Sequence, residues 1–184
     1  MFDEYLARLS QKRLQHSKRT AKRAKQLAAI FGINQDKAVF AGLYHDMMRF
    51  LSAKEYLSAA KELGVAYGKE EIASPILLHG PLASAVMAKN GIDDSEILQA
   101  VAEHTLAKAG MCDLSKVLYL ADKTEAARNF TGIEELRSLA EKNLDMAMLL
   151  ALEYDAKWQE EDGVPFHPQT AAALAWFRQL LTNA

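Results

Sequence analysis

Apolar residues along this chain recur in threes and fours rather than in alternation, and turn residues divide the pattern into helical segments. After a short amphipathic opening, His16, Thr20, Ala24, Leu27 and Phe31 fall within about a quarter-turn of one another. That spacing predicts a helix over 10–31, closed by Gly32 as a C-cap glycine. Asn34 suits the N-cap of a second helix running through Ala38, Leu43, His45 and Asp46. Ser52-Ala53-Lys54-Glu55 forms a capping box and opens a third helix, which ends at Gly64. Residues 65–78 carry little period and read as a connector. Pro81 fits the first turn of a helix reaching Asn90-Gly91, with His79 just before it, where free N–H groups favour anions. Asp93 and Asp94 cap a helix in which Ile97, Val101 and His104 share a stripe, and Asp113 caps one carrying Leu118, Asp122 and Glu125. Helices are expected at 133–142, 144–161 and 170–182, the last after the break at Pro165-Phe166-His167-Pro168. There is no βαβ alternation, hairpin dipeptide or repeat, so the expectation is all-α, a bundle of about eight or nine helices.

Composition narrows this picture. A chain of 184 residues, half of them hydrophobic and a quarter charged, is expected to form one domain over 1–184 with a sizeable core. The single Cys112 excludes an internal disulfide and suits a reducing cytoplasm. Met1-Phe2-Asp3-Glu4-Tyr5 lacks the basic-then-apolar order of a signal peptide, and the apolar run Met146–Leu152 is far too short to span a bilayer. A cytoplasmic protein with no membrane partner is expected. The net charge of −2 gives no global pull toward nucleic acid. Locally, Lys12, Lys18, Arg19, Lys22 and Lys25 share one side of the first long helix, either as a solvated face or as a surface for phosphates or RNA.

The candidate chemistry lies on the apolar stripes themselves. His16, His45, Asp46, His79, His104 and Asp122 are spread over five helices or their starts and include four of the five histidines. Each alone reads as a hydrogen-bonded core residue, since buried polar groups are normally paired. Six together point to a metal site. Imidazole nitrogen and carboxylate oxygen without thiolate suit iron, manganese, cobalt, nickel or zinc, and Cys112 has no partner for a Cys-rich zinc site. A carboxylate can bridge two ions ~3.5–4 Å apart, which together activate water and neutralise phosphate. The chemistry implied is hydrolysis.

This order of motifs, His, then His-Asp, then two His, then Asp along an all-α chain, resembles the HD-domain metal phosphohydrolases. Lys12-Arg13-Leu14-Gln15-His16-Ser17, Ala41-Gly42-Leu43-Tyr44-His45-Asp46 and His79-Gly80-Pro81 carry the likeness, with His104-Thr105 before Gly110-Met111 and Ala121-Asp122-Lys123-Thr124-Glu125 before Arg128. They resemble the bacterial YqeK-like branch, the symmetrical diadenosine tetraphosphatases, over about residues 10–170. The resemblance implies an HD core at about 10–130 followed by C-terminal helices over 131–184.

It also implies roles. His16, His45, Asp46 and Asp122 would hold one metal, and His79 and His104 a second, with Asp46 bridging. The family's centre is di-iron, and its bridging water or hydroxide attacks phosphorus, giving two ADP from diadenosine tetraphosphate. Asp46 and Glu125 are the expected catalytic residues, Glu125 either orienting a ligand or handling a proton. Arg13, Arg49, Thr105, Lys108 and Arg128 would contact the phosphates of a nucleotide polyphosphate. The chain departs from the family where Gly-Arg is common after His104-Thr and this sequence has Ala107-Lys108, and at Ala126, where proline is common. Arg49 stands where lysine is usual. Three other readings stay open: an HD phosphohydrolase for another nucleotide, a di-iron oxygenase on the same fold, and a non-catalytic metal-containing nucleotide- or RNA-binding module. Trp158 and Trp176 on the C-terminal helices mark either core or the interface of a homodimer.

Overall fold

The computed structural model describes residues 2–183 and is all-α. Its elements are α1 (Asp3–Ala7), α2 (Gln11–Ile30), α3 (Gln35–Tyr44), α4 (Ala53–Leu63), α5 (Lys69–Ala73), a 3-10 turn (Pro75–Leu78), α6 (His79–Lys89), α7 (Ser95–Glu103), α8 (Asp113–Thr124), α9 (Ile133–Ala140), α10 (Leu144–Glu161) and α11 (Pro168–Thr182). Eleven α-helices among the described residues exceed the expected eight or nine. The two extra ones, α1 and α5, have five residues each and are too short to show a period. α5 lies inside the presumed connector and is held locally by Glu71, whose carboxylate accepts from the Gly68 N–H at 2.7 Å.

The caps explain most boundaries. The Ser10 hydroxyl accepts from Arg13 N–H to start α2, Asn34 accepts from Asp36 and Lys37 N–H to start α3, and Asp94 accepts from Glu96 and Ile97 N–H to start α7. The Ser52–Glu55 capping box opens α4, and Gly64 closes it at φ +68°. Three boundaries differ from the sequence reading. His79 is the first residue of α6 rather than the residue before it, and Cys112 rather than Asp113 is the N-cap of α8. α3 stops at Tyr44, so His45 and Asp46 lie in the turn that follows instead of within a helix. There Met47 N–H bonds Tyr44 C=O and Arg49 N–H bonds Asp46 C=O in i→i+3 fashion. Leaving the helix lets two adjacent side chains bury together: His45 is 0% and Asp46 3% exposed.

α2 is the hub, packed on α3 and α8, while α7 bridges α3, α6 and α8. The elements carrying the candidate residues are thus joined in one packed network. α10 packs on α8, α9 and α11, and its Asp155 accepts from Tyr119 Oη at 2.6 Å and from Lys123 Nζ at 2.7 Å on α8. The α11 N-terminus clamps the loop after α7: Gln169 Nε2 donates to Ala107 C=O and Thr170 Oγ1 to Leu106 C=O. Trp158 is 66% exposed, whereas Trp176 is half-buried against Phe177. Among the described residues no helix is long and apolar enough to cross a membrane.

One close approach fixes the geometry. A Cβ on Gly42 would lie 2.6 Å from Ala21 Cα, so α2 and α3 touch backbone to backbone where they cross. Gly42→Ala must push them apart, a form of overpacking worth about 1–3 kcal/mol. We expect its melting temperature to fall by roughly 2–12 °C; thermal unfolding followed by circular dichroism checks this, and an unchanged midpoint would contradict the packing described.

Candidate metal centre

Each candidate histidine is locked by one ring nitrogen. Nδ1–H of His45, His79 and His104 donates to the carbonyl three residues earlier: Gly42 at 2.8 Å, Ile76 at 2.6 Å and Val101 at 2.7 Å. His16 differs, because its Nδ1 lies 3.3 Å from Glu125 Oε1. A carbonyl oxygen can only accept, so the proton sits on Nδ1 of His45, His79 and His104 and their Nε2 presents a lone pair. His16 has a carboxylate oxygen at each ring nitrogen, and with its proton on Nδ1 toward Glu125 its Nε2 joins the other three.

The four Nε2 atoms converge on the two carboxylates. His16 Nε2 is 2.8 Å from Asp122 Oδ1 and 3.7 Å from Asp46 Oδ2. His45 Nε2 is 3.5 Å from Asp46 Oδ2, and His79 Nε2 is 3.2 Å from Asp46 Oδ1. His104 Nε2 lies 3.8 Å from Asp46 Oδ1 and only 3.0 Å from His79 Nε2. Two imidazole lone pairs at that separation repel unless a proton or a cation lies between them. Nε2 of His16 and of His45 are buried without a hydrogen-bond partner among the described residues, an expensive arrangement for polar atoms. His16, His45 and Asp122 form one group whose ligand atoms lie within 4.8 Å of each other, and His45, Asp46 and His104 form another. All six residues singled out in the sequence come together, and the nitrogen-and-oxygen donor set suits a divalent metal.

Electrostatics match that use. Burial pushes His104 down to about 4 against the pull of Asp46, so it stays neutral and ligand-competent near neutral pH. Burial likewise opposes charge on His45, but the charge and hydrogen bond of Asp46, with the charge of Asp122, outweigh it and raise its pKa. Burial would raise Asp122, yet the His16 ring 2.8 Å away and the charges of His45 and Arg128 hold it far below the usual carboxylate range.

Around the cluster, Arg13 Nη1 donates to Asp46 Oδ2 at 2.8 Å. Arg128 Nη2 donates to Asp122 Oδ1 at 2.7 Å and its Nε to the Asp122 carbonyl at 2.8 Å. Thr105 Oγ1 sits 3.2 Å from His79 Nε2. Arg49 is half-buried with no carboxylate partner among the described residues. Lys108 is exposed, and the acid whose charge it offsets is Glu103 rather than a carboxylate of the cluster. The fifth histidine, His167, is elsewhere, bonded to Glu71 at 3.1 Å.

Sequence reasoning missed two arginines. Arg19, taken as part of the basic outer face, turns inward, and its Nε donates to Glu125 Oε2 at 2.5 Å. Its position three residues after His16 was the available signal, since such pairs share a helix face. Arg137 of α9 donates to the carbonyls of Thr124, Glu125 and Arg128, closing the end of α8; nothing local in the sequence marks it. Ala107 also gains a reason. Its φ of +54° lies in the left-handed region, where glycine is favoured and where this chain keeps alanine.

A helical bundle gathering four buried imidazoles, a buried Asp46 and a part-exposed Asp122 around one point defines a metal-centre protein of the HD type. The family model for the HD domain matches residues 13–127. A symmetrical bis(5'-nucleosyl)-tetraphosphatase of Halalkalibacterium halodurans is 32% identical, with 94% of this chain and 91% of that protein covered. One of the same name from Bacillus subtilis is 32% identical over 91% and 90%. The crystal structure of a predicted HD superfamily hydrolase involved in NAD metabolism, from Clostridium acetobutylicum, superposes with a TM-score of 0.91 at 31% identity, covering 98% of each chain. The chain belongs to the HD-domain family, in the YqeK-like branch that these relatives represent.

Because the charges of Asp46 and Asp122 raise His45, a proton competes with an incoming cation for the cluster. Lower pH favours the proton, so apparent metal affinity is expected to fall as pH drops from 8 to 6, by up to about tenfold per unit for one proton released. Titration of metal-free protein with Mn²⁺ across that range checks the slope; a flat profile would contradict it.

Proposed function

We propose that this protein hydrolyses diadenosine tetraphosphate symmetrically to two ADP, as the names of its relatives suggest. The observation that carries the reading is the inward convergence of four Nδ1-locked imidazoles on Asp46 and Asp122, with the His79–His104 nitrogens 3.0 Å apart. In this reading His16, His45, Asp46 and Asp122 hold one ion and His79 and His104 a second, with Asp46 shared; iron is the expected metal, with manganese, cobalt or zinc as substitutes. Bound there, the ions supply Lewis acidity, lowering the pKa of a coordinated water and neutralising phosphate charge.

The reaction adds water to one of the two inner phosphorus atoms and breaks the central P–O–P link, releasing one proton. ADP leaves as a phosphate anion, so charge neutralisation matters more than a protonating side chain. That suits Glu125 as a residue that orients His16, because both of its oxygens are already engaged, by His16, Arg19 and Ala127 N–H. Arg13 and Arg128 brace the ligand carboxylates and flank the polyphosphate, while Arg49, with no carboxylate partner among the described residues, takes one of its charges. Thr105 is within reach of the same phosphates, and Lys108 meets the outer part of the substrate. The whole chain acts as one unit in the cytoplasm, with the helices after residue 130 supporting the HD core. The exposed lysines of α2 form a solvated face rather than an RNA site.

The test is incubation of metal-loaded protein with diadenosine tetraphosphate and chromatography of the products. ADP as sole product is expected, and AMP plus ATP, or no turnover, would sink the reading. Asp46→Ala should lower kcat by at least about 10³-fold, since it removes a group acting on the reacting centre; retained turnover would contradict the assignment.

A further inference from the structure

His16 is the odd member of the cluster. Its three partner imidazoles are each held by a neutral backbone carbonyl of their own chain turn, whereas His16 Nδ1–H faces Glu125, a carboxylate that is 2% exposed and comes from 109 residues away. Glu125 is itself fixed on both oxygens. Oε2 accepts from Arg19 Nε at 2.5 Å and from Ala127 N–H at 2.8 Å, and Arg19 Nη2 reaches Oε1 at 3.4 Å. The chain Arg19–Glu125–His16 therefore runs from the one-third-exposed guanidinium to the ligand nitrogen. An imidazole whose far N–H is held by an ionised carboxylate is a stronger electron donor than one held by a carbonyl, and such partners change metal affinity by ~10–100-fold.

We infer that Arg19 and Glu125 are positioning residues that make the metal position at His16, His45 and Asp122 the tighter of the two. This rests on the reading of the cluster as a two-ion centre. Arg19 does so by holding Glu125 aimed at His16: without the guanidinium, the buried carboxylate would be left short of a partner and would turn away. Neither residue touches substrate in this scheme; both act through His16. The asymmetry has a chemical use, because a site that fills in order keeps one ion resident while the other exchanges.

The test is a Co²⁺ titration of metal-free protein, followed by visible absorption, which reads two stepwise dissociation constants. Glu125→Gln keeps the shape and an acceptor oxygen but removes the charge, and should raise the lower constant by ~10–100-fold while changing the other by less than about threefold. Arg19→Met should move the same constant in the same direction, and Arg19→Lys should return most of the loss by restoring the charge. Weakening of both constants together, or of neither, would overturn the inference. Failure of the unmodified chain to bind Co²⁺ at all would overturn the two-ion reading and this inference with it. A measurement on the unmodified chain covers the case in which variants fail to fold: in the zinc-loaded protein the Nδ1–H proton of His16, held by a carboxylate, should resonate apart from those of His45, His79 and His104, each held by a carbonyl. Coincidence of the four signals would overturn the proposal.

Discussion

The structure depends on where four protons sit. With Nδ1–H of His45, His79 and His104 tied to carbonyls and that of His16 to Glu125, every Nε2 lone pair is aimed at one small volume already containing Asp46 and Asp122. With every Nε2 unprotonated, the imidazoles cannot satisfy that volume among themselves, since two acceptor nitrogens meet at 3.0 Å and two more have no donor among the described residues. A positive charge completes it, and the surrounding packing leaves the imidazoles no route of retreat. Gly42 lets α3 lie directly on α2, and a Cβ on Gly80 would lie 2.9 Å from the Val101 carbonyl and 3.1 Å from His104 Cε1. Absence of side-chain volume at two points therefore brings the ligand-bearing backbones close enough to share an ion.

Stability is spent elsewhere to hold this arrangement. The family model ends at residue 127, but several of the groups that steady the metal end of α8 come later in the chain. Arg137 closes the last carbonyls of α8, Asp155 bonds Tyr119 and Lys123 on its flank, and Arg23 of α2 reaches Thr124 and Glu141. At the opposite side, Gln169 and Thr170 of α11 hold the loop that follows His104 and fix Ala107 in its left-handed conformation. That conformation disfavours a Cβ by about 1–2 kcal/mol, so the α11 contacts explain how alanine is kept where glycine would fit without strain.

Much of this was legible in the residues. The long helices follow from threes-and-fours spacing and from Asn34, Ser52 and Asp94 as caps, and the six cluster residues stood out because imidazoles and carboxylates occupied apolar stripes. What escaped was tertiary in origin. α1 and α5 are too short for periodicity, and Glu71 is tied to His167 from far along the chain. The turn at His45-Asp46 looked helical because burial of both side chains, not local propensity, ends α3. Arg19 was hidden in a run of lysines that does face solvent, and Arg137 grips carbonyls supplied by a helix whose end only the fold brings near.

The central claim is that the converged Nε2 atoms surround metal. Anomalous diffraction from crystals of protein purified without added metal addresses it directly. Two anomalous peaks ~3.5–4 Å apart, one against His16, His45 and Asp122 and the other against His79 and His104, are the expected result. Featureless density at that point, or strong peaks only elsewhere on the molecule, would contradict the account.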